Sequence, residues 1–488
     1  VITIADLFCG AGGSGLGASV VPDVQLRYAA NHWAKAVETH AANFPDTDHD
    51  IADISQVDPR RTPRTDILWA SPECTNHSVA KGRRRPDAQP DLFGETLPDE
   101  ASERSRATMW DVPRFAEHHR YRAVIVENVV DAARWIMFPA WLQAMELLGY
   151  RHHIVWLNSM HAPAIAAPRA PQSRDRMYVV FWLAGQRTPD LDVRPAAWCF
   201  ECSTAVAAVQ WWKKTGAPWG RYRQQYLYRC PRSECRNSIV EPYADPAAAA
   251  IDWSLRGQRI GDRDRPLSLK TMERIAAGLA RYARPLTFEA RGNTFVRRGP
   301  DGRPAYSRAW PVDQPTATLT TTETRALVVP VEGRDGKVAA PAAAPMRTQS
   351  TRAETALVVP YYGTTTAGQP TDRPMPTQGT VDTVGLAFIA ELRGGHSDAR
   401  HVDQPLATVT ASGNHHGLVE PPHTVPDVED CTFRMLEPRE IQAAMAFRST
   451  YQVLGTRREQ VRQLGNGVTP PAAEWLIRAV VDSLQAAS

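Results

Sequence analysis

The sequence predicts an α/β fold: a doubly wound, mostly parallel sheet of Rossmann-like type, with a second, β-rich domain. Three observations predict it. Over roughly the first 185 residues, strand-length apolar runs alternate with helix-length stretches, as in a parallel sheet built by crossover helices. The first run leads into a glycine-rich turn, Gly10–Gly17. From about residue 186 to 430 the alternation gives way to a region rich in Pro, Thr, Arg and Gly.

The elements follow in order. Val1–Leu7 is a short apolar strand, Leu26–Ala30 a second, and Trp33–Phe44 a helix. Asp66–Ala70 and Ala123–Val126 are apolar strands that each end at a polar cluster. Pro139–Leu148 has helical spacing, and Arg176–Leu183 reads as a buried strand. Leu267–Tyr282 is an amphipathic helix within the irregular region. Regular structure returns at Pro438–Phe447 and Pro471–Leu484, the last helix starting at a proline pair that suits its first turn.

Composition allows a large core. The 488 residues are 43% hydrophobic and 22% charged, with a net charge of only +3. Local charge is more telling: residues 256–308 hold 13 Lys or Arg against five Asp or Glu, and Lys81, Arg83, Arg84 and Arg85 cluster again. Such clusters neutralise phosphates even when total charge is small. No apolar run is long enough to cross a bilayer, and Val1–Leu7 runs straight into a motif, so neither membrane insertion nor a signal peptide is expected. The close pairing of four of the seven cysteines suits metal binding in a reducing compartment.

Those four are Cys199, Cys202, Cys230 and Cys235, two close pairs with 27 residues between them. Two such knuckles converge on a tetrahedral zinc ion with four thiolate ligands, which predicts a structural zinc and a zinc-ribbon-like insert over 196–243. An aromatic, basic stretch lies between the pairs, from Trp211, Trp212 and Lys213 to Trp219, Arg221 and Tyr222. Further on, Pro315, Pro345, Pro374 and Pro405 recur at intervals of 29 to 31 residues within similar segments. Repeats must stack to bury their faces, so residues 309–422 are expected to form a compact β-rich module.

The candidate site residues sit at strand ends. The turn after the first strand, Asp6–Gly13, lets backbone approach a nucleotide-like ligand. Cys74 follows the strand Asp66–Ala70 in a polar turn, placed for nucleophilic chemistry. Glu127 ends an apolar strand and is a candidate proton donor. Gln172–Arg176 leads into a strand, and Gln463–Pro470 precedes the last helix.

Together, in this order and with the long variable region between the fourth and fifth blocks, these segments resemble the DNA cytosine-C5 methyltransferase family. The resemblance is carried by Phe8–Gly13, Pro72-Glu73-Cys74, Glu127-Asn128-Val129, Gln172–Arg176 and Gly465–Val468. It covers roughly residues 1–185 and 431–488. It implies an enzyme that takes a methyl group from S-adenosylmethionine to C5 of a flipped-out cytosine in double-stranded DNA. Cys74 would attack C6, Glu127 would protonate or hydrogen-bond N3, and Arg174 and Arg176 would steady the carbonyl and the catalytic loop. By the same resemblance Phe8, Gly10, Gly12, Asn31, His32, Trp33, Asp53, Ile54, Pro72, Asn466 and Val468 line the cofactor site. Two departures stand out. The family usually carries a ribose-holding glutamate at the end of the second strand, where this chain has Asn31, followed by His32 and Trp33. Glu73 stands where a second proline or a small residue is common. The stretch Thr75–Ala101 is also longer and more basic than a typical catalytic loop, so Lys81–Arg85 are expected to grip phosphates.

The expected division is a catalytic domain over 1–185, a target-recognition domain over 186–430 that chooses the DNA sequence, and a segment over 431–488 completing the first. The expected setting is a monomer in the cytoplasm of a bacterial or phage-infected cell, with a cognate restriction endonuclease or another DNA-modifying enzyme as a possible partner. A catalytically silent DNA-binding protein and an RNA cytosine-C5 methyltransferase are the competing readings.

Overall fold

The computed structural model describes residues 1–72, 108–252 except 215 and 217, most of 254–276, short strands between 286 and 420, and 428–486. Cys74, the Lys81–Arg85 cluster and the four repeat prolines lie outside the described residues.

A seven-stranded sheet organises the N-terminal part. Its strands are β1 (Ile2–Leu7), β2 (Val24–Asn31), β3 (Asp48–Ile51), β4 (Ile67–Ala70), β5 (Ala123–Asn128), β6 (Tyr150–Asn158) and β7 (Asp175–Leu183). They lie in the order β3-β2-β1-β4-β5-β7-β6. The first five are parallel, while β7 runs antiparallel to both β5 and β6. Every residue of β4 and β5 is buried. Strands covered on both faces read as unbroken apolar runs rather than as alternation, which is why these two are plain in the sequence. The sheet therefore matches the mostly parallel, doubly wound arrangement that the sequence predicts.

Helices α1 (Gly13–Ala18), α2 (Ala34–Asn43), α3 (Asp111–His119) and α4 (Phe138–Leu147) belong to the same region. The C-terminal stretch adds α5 (Pro438–Ala444), α6 (Arg457–Asn466) and α7 (Pro470–Gln485). α7 packs on α1, hundreds of residues earlier in the chain. α1 is wholly buried, and its glycines make that possible. A Cβ at Gly13 would overlap the Val468 carbonyl oxygen, and one at Gly17 would come within 2.6 Å of Ala473 Cβ. On the other face, a Cβ at Gly15 would meet Leu26 and His40 at 3.0 and 3.2 Å. The C-terminal helix α7 thus closes the same domain that α1 opens.

The four-cysteine insert contains β8 (Ala196–Cys199), β9 (Thr204–Ala207), β10 (Val209–Trp212), β11 (Tyr226–Arg229) and β12 (Ile239–Val240). β8 pairs with β9, and β10, β11 and β12 form a second small antiparallel sheet. Tyr226, Tyr228, Cys199 and Cys230 join the same buried cluster as the large sheet. Further along, Leu286–Glu289 pairs with Ala309–Pro311 and Arg325–Val328, and Phe388–Glu391 pairs with Ala399–His401 and His416–Glu420. These strands bear out the β-rich expectation, and two of them carry the apolar runs that follow the repeat segments. The described residues between 269 and 276 are helical.

Candidate active site

Five parallel strands finish at one edge of the sheet, and the candidate residues gather there. The register aligns Leu7 with Ala30 and with Ala70, Asn31 with Ile51, and Ala70 with Val126. Phe8–Gly12, Asn31–Trp33, Asp53–Ile54, Pro72 and Glu127 all extend from those ends. This carboxyl edge is where open α/β sheets receive ligands.

The glycine-rich turn is shaped by backbone geometry. Phe8, Gly10 and Gly12 all have positive φ, at 60°, 54° and 83°. A side chain at Phe8 costs strain in that conformation. Gly12 sits in the left-handed region with its Cα packed against neighbours, since a Cβ there would lie 2.9 Å from the His40 ring. Gly10 differs: among the described residues, a Cβ would meet only Phe8 O, at 3.9 Å. Open space over an accessible backbone is what a ligand-cradling turn requires. Tyr451 from the C-terminal segment fixes the turn, its hydroxyl donating to Ala11 O at 2.5 Å.

Beneath the turn lies Asp6. Its Oδ2 accepts from Ser14 Oγ at 2.5 Å, while Oδ1 is buried without a hydrogen-bond partner among the described residues. Burial pushes the Asp6 carboxyl up to about 7 against the pull of Ser14. Asn31 is buried, and its Oδ1 accepts from Trp33 N at 2.9 Å. The Arg462 guanidinium lies 4.5 Å from the Trp33 ring centre. His32 is exposed. Asp53 caps the short turn Ile54–Gln56 through Ser55 N, and Ile54 is buried. Asn466 ends α6, and Val468 carries the carbonyl that presses on Gly13. An open backbone cradle and a buried carboxyl oxygen without a partner among the described residues fit a nucleoside-bearing cofactor, and the next strand ends near an aromatic side chain, Trp33.

Across the edge, Glu127 and Arg176 form an ion pair, Arg176 Nε lying 2.7 Å from Glu127 Oε1. Arg176 is the second residue of β7, which runs back beside β5. Asn128 joins the two strand ends: its Nδ2 donates to Pro72 O at 3.4 Å and its Oδ1 accepts from Val129 N at 2.8 Å. Arg174 is buried, and its Nη2 donates to Gly465 O and Gly467 O at 3.0 Å each. Its guanidinium therefore ties the fourth sequence block to the fifth.

The four cysteines also converge. Cys199, Cys202, Cys230 and Cys235 have sulfur atoms all within 4.8 Å of one another. Left-handed backbone at Ser203, Arg236 and Asn237 turns the two knuckles inward. Four sulfurs this close repel when ionised, and a soft divalent cation removes that repulsion. The donor set fits tetrahedral thiolate coordination. Cys9 is buried beside Asp6, and Cys431 is buried apart from the quartet.

Sequence reasoning passed over several residues here. Asn128 stood inside a recognised block. Asp6 preceded one, and an acidic residue within a buried apolar strand is a readable signal. Tyr451 had no local signal, because its partner lies 440 positions away.

A doubly wound sheet with a strained glycine turn at its carboxyl edge, facing a carboxylate–guanidinium pair, defines a Rossmann-like α/β domain of the ligand-binding kind. Residues 2–197 match the family model described as C-5 cytosine-specific DNA methylase. The chain is 28% identical over 195 residues to the Type II methyltransferase M.AgeI of Thalassovita gelatinovora, covering 37% of this chain and 40% of the relative. It is 27% identical over 179 residues to M1.ScrFI of Lactococcus lactis subsp. cremoris, covering 36% and 40%. With M.Bsp6I of Bacillus sp. (strain RFL6) the identity is 29% over 184 residues, covering 37% and 52%. The chain thus spans about two-fifths to one half of the relatives' own length.

Proposed function

We propose that the protein transfers a methyl group from S-adenosylmethionine to C5 of a cytosine held outside a DNA duplex. The observation that carries this reading is the Glu127–Arg176 pair, set beside the strand end that leads through Pro72 to Cys74. In this reading the bound cofactor supplies an electrophilic methyl group. Cys74 attacks C6 as a thiolate, and the electron pair displaced from the C5–C6 bond makes C5 nucleophilic. Glu127 shares a proton with N3 as negative charge develops there, and Arg176 holds that carboxyl in position. After methyl transfer, loss of the C5 proton expels the Cys74 thiolate and restores the ring. Phe8, Gly10 and Gly12 form the floor of the cofactor site. Asn31 and His32 are the groups nearest the place where the family holds the ribose, Trp33 and Ile54 flank the base, and Asp53 offers it an acceptor. Asn466 and Val468 close the site.

The remaining assignments belong to the same reading. Residues 1–185 and 431–488 form the catalytic unit, and residues 186–430 select the DNA sequence. The cysteine quartet holds structural zinc. The relatives are named Type II methyltransferases, and a cognate endonuclease is the corresponding partner for this chain.

The test incubates the protein with methyl-labelled S-adenosylmethionine and duplex DNA, beside Cys74→Ala. Label in DNA from the wild type alone supports the reading. Tight DNA binding without label supports a silent DNA-binding protein, and label only in RNA supports an RNA methyltransferase.

A further inference from the structure

The two partners of the Glu127–Arg176 pair stand on different strands, and the four-cysteine insert braces the ends of both. Glu127 is followed, through Asn128 and Val129, by the short turn Val130–Arg134. Trp219 Nε1 of the insert donates to Val130 O at 3.2 Å. Arg221 Nη2 pairs with Asp131 Oδ2 at 2.5 Å, with both side chains three-quarters buried or more. Arg134 completes the contact, its guanidinium 4.1 Å from the Trp219 ring centre. Arg176 is braced from the other side. The backbone N–H of Tyr222 donates to Asp175 Oδ1 at 3.0 Å, and Arg176 Nη1 donates to Asp175 O at 2.9 Å. Three residues within the four-residue stretch 219–222, namely Trp219, Arg221 and Tyr222, therefore touch both strand ends that carry the pair.

These braces depend on the insert. Arg223 N donates to Tyr226 O, so the bracing turn is hydrogen-bonded to β11, which ends at Arg229, immediately before Cys230. Tyr222 and Tyr228 pack edge-on against His161, with ring centres 4.5 and 5.3 Å away. Gln210 Nε2 donates to Trp156 O at 2.9 Å and anchors the neighbouring strand. A different set of insert residues faces solvent, including Trp198, Val209, Trp211 and Ile239.

We propose that Trp219, Arg221 and Tyr222 are positioning residues for the Glu127–Arg176 pair, so that metal loading of the cysteine quartet governs the rate of methyl transfer. The proposal rests on the methyltransferase reading above. A small insert of this kind has little core of its own and is ordered by its metal. Without metal, residues 219–222 lose their fixed place and both strand ends lose a brace. Displacement by about 1 Å at a reacting group costs on the order of 100-fold in rate, whereas a module that only reads DNA would change affinity.

The experiment uses the full chain loaded with zinc. Asp131→Asn, Arg221→Ala and Arg221→Lys are compared with the wild type, and Arg194→Ala, whose partner Asp192 lies on its own loop, is the control. The expected result is a single-turnover rate at saturating DNA and cofactor reduced about 10- to 100-fold in Arg221→Ala and Asp131→Asn. DNA Kd stays within about twofold, zinc content is retained and Arg221→Lys recovers most of the rate. An unchanged rate, or a loss seen only as weaker DNA binding, overturns the proposal. Asp131 lies outside the insert, so its variant remains informative if Arg221→Ala fails to fold. Hydrogen exchange supplies a readout independent of activity: chelating the wild type is expected to raise exchange in residues 127–135 and 174–178. Unchanged protection there defeats the proposal even if the wild type methylates nothing, whereas raised exchange in an inactive wild type counts against the methyltransferase reading alone.

Discussion

Gly13 lies directly against the carbonyl of Val468, with no room between them for a methyl group. The crowding atom is backbone, so it cannot swing aside as a flexible side chain could. Gly13→Ala is expected to push α7 off α1 and to destabilise the domain by about 2–4 kcal/mol, the usual range for overpacking and a little beyond. Urea denaturation measures it, and a midpoint equal to the wild type's would show that the contact yields freely.

Arg174 is buried and holds two carbonyl oxygens of the segment Gly465–Gly467. Arg174→Leu leaves both without those donors, at a cost of about 1–3 kcal/mol for each polar group left unpaired. The variant should bind cofactor more weakly, since Asn466 lies within that segment and Val468 follows it. Equilibrium dialysis with S-adenosylmethionine gives the answer, and wild-type affinity would refute the link.

Removing the acid function of Glu127 should spare binding and slow chemistry. Glu127→Gln keeps the shape but not the charge that faces Arg176. The expected loss in kcat is about 100- to 10,000-fold, the usual contribution of a positioned proton donor. DNA affinity should be retained, so a parallel fall in affinity would point to a structural role.

Asp6 sets a pH dependence of stability. Unfolded, its carboxyl releases a proton near 3.8; folded, it holds the proton until about 7. The folded state thus binds more protons between those values, and stability falls as pH rises through that window, then levels off. The full window amounts to on the order of 4 kcal/mol. Asp6→Asn should flatten this slope, and thermal melts from pH 4 to 8 would reveal a slope left intact.

The cysteine quartet should hold one metal ion per chain, because four sulfurs share one cluster. Chelation is expected to lower Tm by several degrees. Cys199→Ser and Cys230→Ser should carry less metal by elemental analysis, and full stoichiometry in both would exclude the site.

The strands that the sequence announces are the ones buried on both faces. β4 and the first four residues of β5, Ala123–Val126, are unbroken apolar runs, and β7 becomes one from Met177. β3 did not show, because Asp48–Ile51 is a mostly exposed edge strand with two aspartates. Tyr150–Asn158 was hidden by its polar opening, Arg151-His152-His153, also at an edge of the sheet. α6 is almost wholly polar, yet its start was readable: Thr456 and Glu459 form a capping box at the usual spacing. In the site, strand-end residues were legible because polar groups interrupt apolar runs there. The contact between Asp131 and Arg221 was not, since 90 positions separate them and the aromatic, basic stretch that holds Arg221 gives no hint of its partner.

The glycine helix has a consequence for biosynthesis. α1 emerges from the ribosome hundreds of residues before the helix that covers it, which begins at Pro470. Until then its exposed groove invites any small apolar segment, including one from another nascent chain. Chaperone capture during translation is therefore expected to centre on residues 13–18, and a separately supplied peptide spanning 468–485 should release it.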